Sequence, residues 1–314
     1  MKKYQCGICL LSMALMTGCA VKQDVKDSGY RVAAVLPENG KIRVTDFWQQ
    51  VWNGIHSSIK EEGIALSEYP SSANDPIIDR LVLAYAAKPE GIILFVSDNG
   101  DEEVFQVLRS VRESGIKIVV VDTDIESELY DAFVGIDNEM AGRQLAEYVC
   151  KRKIPEEHIL VLNPSASGAV EKRKNAFLDY MTAQGESEVT LLPLKEENEE
   201  RLEGIEQGIQ TSENLKWIVS FDPSCTVQAA ETLCRMKLEG EISLVGFGES
   251  QEAEQYLENG VISALLLQDN DQIGEMAVCQ MKKLLDEEKL EKKQSYVDST
   301  LITAEEGTGG RNSE

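Results

Sequence analysis

Histidine is nearly absent: His56 and His158 are the only two in 314 residues, which leaves little for a histidine-rich metal centre. Cations are scarce as well. Lys and Arg number 31 against 55 Asp and Glu, a formal charge of −24, so the counterion release that drives binding to nucleic acid has little to work with. An acidic body also gains nothing from anionic lipid headgroups, and any membrane association requires a separate anchor. Catalytic signatures are missing too. There is no G-x-S-x-G elbow, no P-loop and no Ser/His/Asp set with a workable arrangement. Gly246-Phe247-Gly248-Glu249-Ser250-Gln251 begins like a dinucleotide-binding loop but ends in Gln and sits late in the chain. The sequence thus offers no enzyme, no metal site and no cofactor. What remains is an ordinary folding composition, 42% apolar and 27% charged, at a length suited to about two domains of ~150 residues.

The first nineteen residues bear on the compartment. Lys2 and Lys3 precede a mostly apolar run over 8–16, too short for the ~20 residues that span a bilayer but suited to a secretory signal. The run ends in Leu15-Met16-Thr17-Gly18-Cys19, which resembles the lipobox of bacterial lipoproteins. That resemblance implies cleavage before Cys19 and a diacylglycerol on its thiol, a two-chain anchor where one chain would be marginal. A plain signal peptide with an incidental cysteine is the alternative. The Cys6-Gly7-Ile8-Cys9 spacing falls inside the discarded leader and carries no redox role. Of the mature cysteines, Cys225 and Cys234 lie nine residues apart on one expected helix, about 13 Å of rise and beyond disulfide reach. Cys150, Cys225, Cys234 and Cys279 are all expected to be buried free thiols.

From Tyr30 onward, short apolar runs alternate with amphipathic segments. Strands are expected over 31–36, 64–69, 91–96, 117–122 and 132–136, then 159–163, 189–194, 217–221, 243–247 and 262–267. Runs such as Ile92-Ile93-Leu94-Phe95-Val96 lack in–out alternation and suit strands buried on both faces of a parallel sheet. Between them, Trp48, Val51, Trp52, Ile55 and Ile59 form one helical stripe, with Asp46 as a possible cap and Gly63 as the stop. A second helix is expected over 101–114, ending at Gly115. Two such series predict two doubly wound α/β lobes. Ligands of open parallel sheets bind beyond the carboxyl ends of the strands, which singles out 37–46, 97–100 with Ser97, 122–124, 164–168, 222–224 and 248–250.

The order of these pieces resembles the ribose-type periplasmic binding proteins, whose fold is shared by lactose-repressor effector domains. The resemblance covers about residues 30–303. It is carried by Asp46-Phe47-Trp48 with Gly54, Lys117-Ile118-Val119-Val120-Val121-Asp122, and Val134-Gly135-Ile136-Asp137-Asn138 with Gly142. Arg173 to Phe177, Val245-Gly246-Phe247-Gly248, and Leu267-Gln268-Asp269-Asn270-Asp271-Gln272-Ile273-Gly274 complete it. It implies two lobes joined by a three-segment hinge near 136–138, 268–270 and 294–297, closing on a sugar-like ligand. The expected division is 1–18 signal, 19–29 lipidated tether, 30–136 with 269–294 first lobe, 137–268 with 295–304 second lobe, and 305–314 disordered tail. A lipoprotein signal stands where a repressor would carry its helix-turn-helix.

The resemblance also implies ligand contacts. Phe47 and Trp48 fall where the family stacks aromatics on a sugar ring, although Trp48 also lies on the helix's apolar stripe. Asp122 matches the hydroxyl-gripping aspartate, with capping or a hinge ion pair as its alternative. Asp222 has the position of another family polar residue, but Pro223 makes helix capping equally natural. Gln268 matches a glutamine at a hinge crossing. The chain departs from the pattern in four places. Thr123 replaces an arginine, and Glu171 aligns with a second one, although Arg173 lies two positions on. Gly248 replaces an aspartate, and Phe221 an asparagine. A cleft that loses two guanidiniums and gains an aromatic argues against ribose and toward a larger, more apolar or cationic ligand. Two partners follow by resemblance: an ABC-type permease fed by a lipid-anchored, extracytoplasmic receptor, or a membrane histidine kinase or chemoreceptor that reads its shape.

Overall fold

The unalternating Val-Ile-Leu runs become the central strands of two sheets. The computed structural model describes residues 29–38, 47–72, 74–96, 101–164, 168–186, 188–195 and 197–304. Cys19, the tether, Asp46, Ser97 and the expected tail lie outside them. The first sheet contains β1 (Arg31–Val35), β2 (Ala65–Glu68), β3 (Gly91–Leu94), β4 (Lys117–Val121), β5 (Ala132–Ile136) and β11 (Gln294–Val297). Its order is β11-β5-β4-β3-β1-β2, parallel throughout. The second contains β6 (His158–Pro164), β7 (Val189–Leu194), β8 (Leu215–Val219), β9 (Ser243–Phe247), β10 (Ile262–Gln268) and β12 (Ser299–Thr303). Its order is β12-β10-β9-β8-β6-β7, with β12 antiparallel to β10. All ten expected strands form. β11 and β12 were not among them; both are short edge strands of mixed polar and apolar residues.

Helices α1 (Phe47–Glu62), α2 (Ile77–Ala86) and α3 (Glu102–Glu113) cover the first sheet. The second is covered by α4 (Asn138–Arg152), α5 (Ala169–Ala183), α6 (Asn198–Thr211), α7 (Pro223–Met236) and α8 (Gln251–Glu258). The last helix, α9 (Asn270–Leu285), lies in the stretch expected to rejoin the first lobe and packs on α1 and on β3, β4 and β5. Helix α1 buries Val51, Trp52, Ile55 and Ile59 and stops at Gly63; α3 is capped by Asp101, which accepts from the Val104 N–H, and stops before Gly115.

The chain crosses between the two units at Asp137, Asp269 and Asp298. The last crossing corrects the expected boundary at 294/295. Residues 294–297 pair with 133–136 of β5, so this whole segment belongs to the first sheet. At the first two crossings the sequence repeats itself, as Asp137-Asn138 with Gly142 and Asp269-Asn270 with Gly274. Each Asp caps the helix it opens, accepting from Met140 N–H and Gln272 N–H at 2.9 Å. Each Gly brings its helix onto a neighbour. A Cβ on Gly274 would fall on the Val51 carbonyl oxygen of α1, and one on Gly142 on the Arg173 carbonyl oxygen of α5. The mature cysteines in the described residues are free, but only Cys225 is fully buried. Cys279 faces solvent, against expectation, because it lies on the side of α9 turned away from the sheet.

Candidate functional site

The carboxyl ends of both sheets converge on one cavity of about 240 Å³. Its first wall comes from the start of α1 and the ends of β3 and β4. Trp48 stands one turn before the buried stripe of α1. It is half-buried and meets Phe47 (centroids 4.7 Å) and Phe95 (4.6 Å) edge to face. Trp52 is the core tryptophan, its indole N–H donating to the Pro37 carbonyl at 3.0 Å. Asp122 follows β4 in the left-handed region at φ +68, a conformation that Asp tolerates better than most residues, and its N–H holds the Val134 carbonyl. Thr123 is buried behind it and donates its hydroxyl to Asp122 Oδ2 at 3.1 Å, so it positions the aspartate and does not line the cavity.

The opposite wall comes from the second unit. The Arg173 guanidinium lies 3.7 Å from the centroid of the Phe247 ring and donates from Nη1 to Asn138 Oδ1 at 2.7 Å. Asp222 does both things expected of it. Its Oδ1 accepts from the Cys225 N–H at 2.9 Å as the cap of α7, and its side chain still borders the cavity. Gln268 ends β10, and Asn270 opens α9 with Nδ2 donating to Gln50 Oε1 at 2.8 Å. Pro223, Gly248 and Glu249 close the rim.

Burial and neighbouring charges act together on the ionisable groups of this cavity. Burial pushes the Asp122 carboxyl upward, against the opposing pull of the Arg173 charge and the Thr123 hydroxyl. Burial also brings Arg173 down to about 10, although Asp122 and Asp222 both favour its charged form. Glu249 is raised by burial and by the neighbouring charges of Glu254, Asp269 and Asp271, with a hydrogen bond from Gln50 working the other way. Four buried side-chain atoms among the described residues lack a hydrogen-bond partner, and three of them belong here: Arg173 Nε, Gln268 Oε1 and Asn270 Oδ1. These side chains are 4%, 8% and 3% exposed. An unpaired buried polar group costs about 1–3 kcal/mol, so three on residues of one cavity set it apart from the rest of the described surface. A larger groove of about 610 Å³ runs along α4 and α5, but no orphaned polar atom lines it.

The cavity therefore brings together Phe47, Trp48, Asp122, Arg173, Asp222 and Gln268. Glu171 is not among them: its half-exposed carboxylate pairs with Lys174 at 2.6 Å and does not line the cavity. Phe221 is fully buried against Phe177, centroids 5.4 Å apart, and belongs to the core. The cleft consequently keeps one guanidinium, and the aromatic it gains is not Phe221. Ser97 lies outside the described residues. Phe95, Phe247 and Asn270 were not among the expected contacts, whereas Pro223, Gly248 and Glu249 fall in the stretches 222–224 and 248–250 singled out beyond strand ends. All of them follow or end a strand, or open the next helix, so the strand-end rule contained the signal. Phe95 read as strand interior, and Phe247 and Asn270 only as parts of longer family motifs.

A family model described as periplasmic binding protein domain matches residues 40–289. No curated protein matches the sequence. Among solved structures, GanP, a glucose-galactose binding protein from Geobacillus stearothermophilus, is 19% identical, covering 88% of this chain and 98% of its own at a TM-score of 0.75. An ABC transporter solute-binding protein from Agrobacterium vitis with bound D-fucose is 22% identical, covering 87% and 95% at 0.75. The XylFII–LytSN complex matches at 18% identity, 88% and 98% coverage, and a TM-score of 0.72.

Proposed function

The chain belongs to the periplasmic binding protein family, and on that premise we propose that it captures a small sugar-like ligand in the cleft between its lobes and delivers it to an ABC-type permease. The observation that carries this reading is the trio of orphaned polar atoms on Arg173, Gln268 and Asn270, residues that line one cavity with Phe47 and Trp48. Apolar rings with convergent polar groups suit a sugar, whose C–H faces stack and whose hydroxyls bond. Asp122 accepts from ligand hydroxyls, Thr123 holds Asp122 in place, and Asp222 adds a further acceptor. The lobes close by backbone rotation at Asp137, Asp269 and Asp298, as hinge proteins do at a few crossover residues. Among the described residues no helix is long and apolar enough to cross a membrane. The extracytoplasmic location that goes with the family is supplied, in this reading, by lipid on Cys19.

Solution scattering on the mature chain, titrated with a panel of monosaccharides, tests the clamp. The expected result is saturable binding with a smaller radius of gyration; binding without compaction would refute the two-lobe closure. A second reading, presentation of the liganded shape to a sensor kinase, draws support from the likeness to XylFII in complex with a partner protein. Deleting the gene separates the two: transport predicts lost uptake of the ligand, sensing predicts lost ligand-dependent transcription with uptake intact.

A further inference from the structure

We propose that the preferred ligand carries a positive charge, as an amino sugar or an aminated polyol, with its ammonium group beside Glu249. This inference rests on the sugar-binding reading and narrows it.

Charge is the first observation. Among the described lining residues, Asp122, Asp222 and Glu249 are acids and Arg173 is the sole base. Arg173 sits in the field of Asp122 and Asp222, which it offsets. Among the described residues Glu249 has no such partner. The charges acting on it come from Glu254, Asp269 and Asp271, and its hydrogen bond comes from the neutral Gln50 amide. A half-buried carboxylate among three other acids is a place where a ligand cation gains most and a ligand anion loses most.

Hydrogen bonding is the second observation, independent of charge. Two of the three orphaned atoms are acceptors, Gln268 Oε1 and Asn270 Oδ1, and both side chains are more than nine-tenths buried. Asn270, held by its Nδ2 on Gln50 Oε1 at 2.8 Å, lines the same cavity as Glu249, so the orphaned Asn270 oxygen and the carboxylate share one wall. A hydroxyl brings one donor, whereas an ammonium brings three and no acceptor. It can serve Glu249 and Asn270 together. The remaining orphan, the Arg173 N–H, asks for an acceptor, which a ring or hydroxyl oxygen of the same molecule provides.

Calorimetric titration of the mature chain tests the proposal with matched probes. These are glucose, glucosamine and N-acetylglucosamine; the same series in galactose; and 6-amino-6-deoxyglucose, which moves the amine around the ring. At least one amine should bind on the order of tenfold or more tightly than its neutral parent, as a charge-assisted bond requires, and acetylation should erase the gain. In Glu249→Gln that preference should shrink to within about twofold. Parents that bind as well as every amine would overturn the inference while leaving the sugar-binding reading standing. Failure of all probes would overturn both. A preference that survives Glu249→Gln would refute the assignment to Glu249.

Discussion

Arg173 reaches its place in the cleft by lying across the Phe247 ring, 3.7 Å from its centroid, on a residue from a different strand end. The contact fixes a flat cation whose Nη1 is bonded to Asn138 and whose buried Nε has no hydrogen-bond partner among the described residues. Truncation to Ala should weaken ligand binding by about 1.5–3 kcal/mol, roughly tenfold to a hundredfold. Arg173→Lys keeps the charge but not the planar fork, and should recover only part of the loss. Calorimetry on both variants decides it: full recovery by lysine would mean that charge alone matters.

Asp122 makes a prediction whose sign follows from burial. Its folded-state carboxyl is raised, so the contribution it makes to stability is fully present below its ordinary pKa and is lost as pH rises through the raised value. Ligand-free Asp122→Asn, which also tolerates the left-handed backbone, should therefore melt above the wild type at about pH 7, with the gap closing near pH 4. The same variant should bind ligand more weakly. A melting curve that shows no gap at neutral pH would contradict a strained carboxylate.

Trp48 and Trp52 are four residues apart but differ in role. Trp52→Ala removes a buried core side chain and should cost about 3–5 kcal/mol of folding stability. Trp48→Ala and Phe47→Ala should cost mainly affinity, since both side chains are half-buried at the cavity edge. Chemical denaturation and binding measured on the same three variants separate site from scaffold. A Trp48→Ala protein that chiefly unfolds would place Trp48 in the core.

Gly274→Ala should destabilise the first lobe by about 1–3 kcal/mol, because its Cβ would meet backbone of α1 and no flexible side chain could yield. Gly142→Ala should act likewise on α4 and α5. Denaturant midpoints give the comparison, with Gly240→Ala, at φ +77 but in open space, reporting backbone strain alone.

Cys19→Ala should leave uncleaved precursor or release the protein into the soluble fraction. Normal processing and unchanged membrane retention would exclude the lipid anchor.

The central strands were legible because burial on both faces demands runs of Val, Ile and Leu, whereas the mostly exposed β2 and β7 have only short apolar stretches. Helices α1 and α3 were legible through their stripes and glycine stops. The third crossing was misplaced because Gln294-Ser295-Tyr296-Val297 has no hydrophobic signature of its own; its place is set by pairing with β5, a contact between residues about 160 apart. In the site, Asp122, Asp222 and Gln268 were found through the family resemblance, and the first two also lie in stretches just beyond strand ends. Phe221 and Glu171 were misjudged for opposite reasons. Alignment places a residue along the chain but not the face of the element it occupies, and one residue's difference turns Phe221 inward and leaves Asp222 at the cavity. Arg173 two positions on from Glu171 is the same lesson on a helix, where two residues rotate a side chain by about 200°.

The central claim is that the Trp48 edge of this cavity holds the ligand. The chain has three tryptophans, Trp48, Trp52 and Trp217, and only Trp48 lines the cavity. Tryptophan fluorescence of the mature protein, titrated with the neutral and aminated monosaccharides, tests the claim directly. The account predicts a saturable change with at least one of them that disappears in Trp48→Phe, while calorimetry shows that this variant still binds. A change that persists without Trp48, or no binding by any member of the panel, would contradict it.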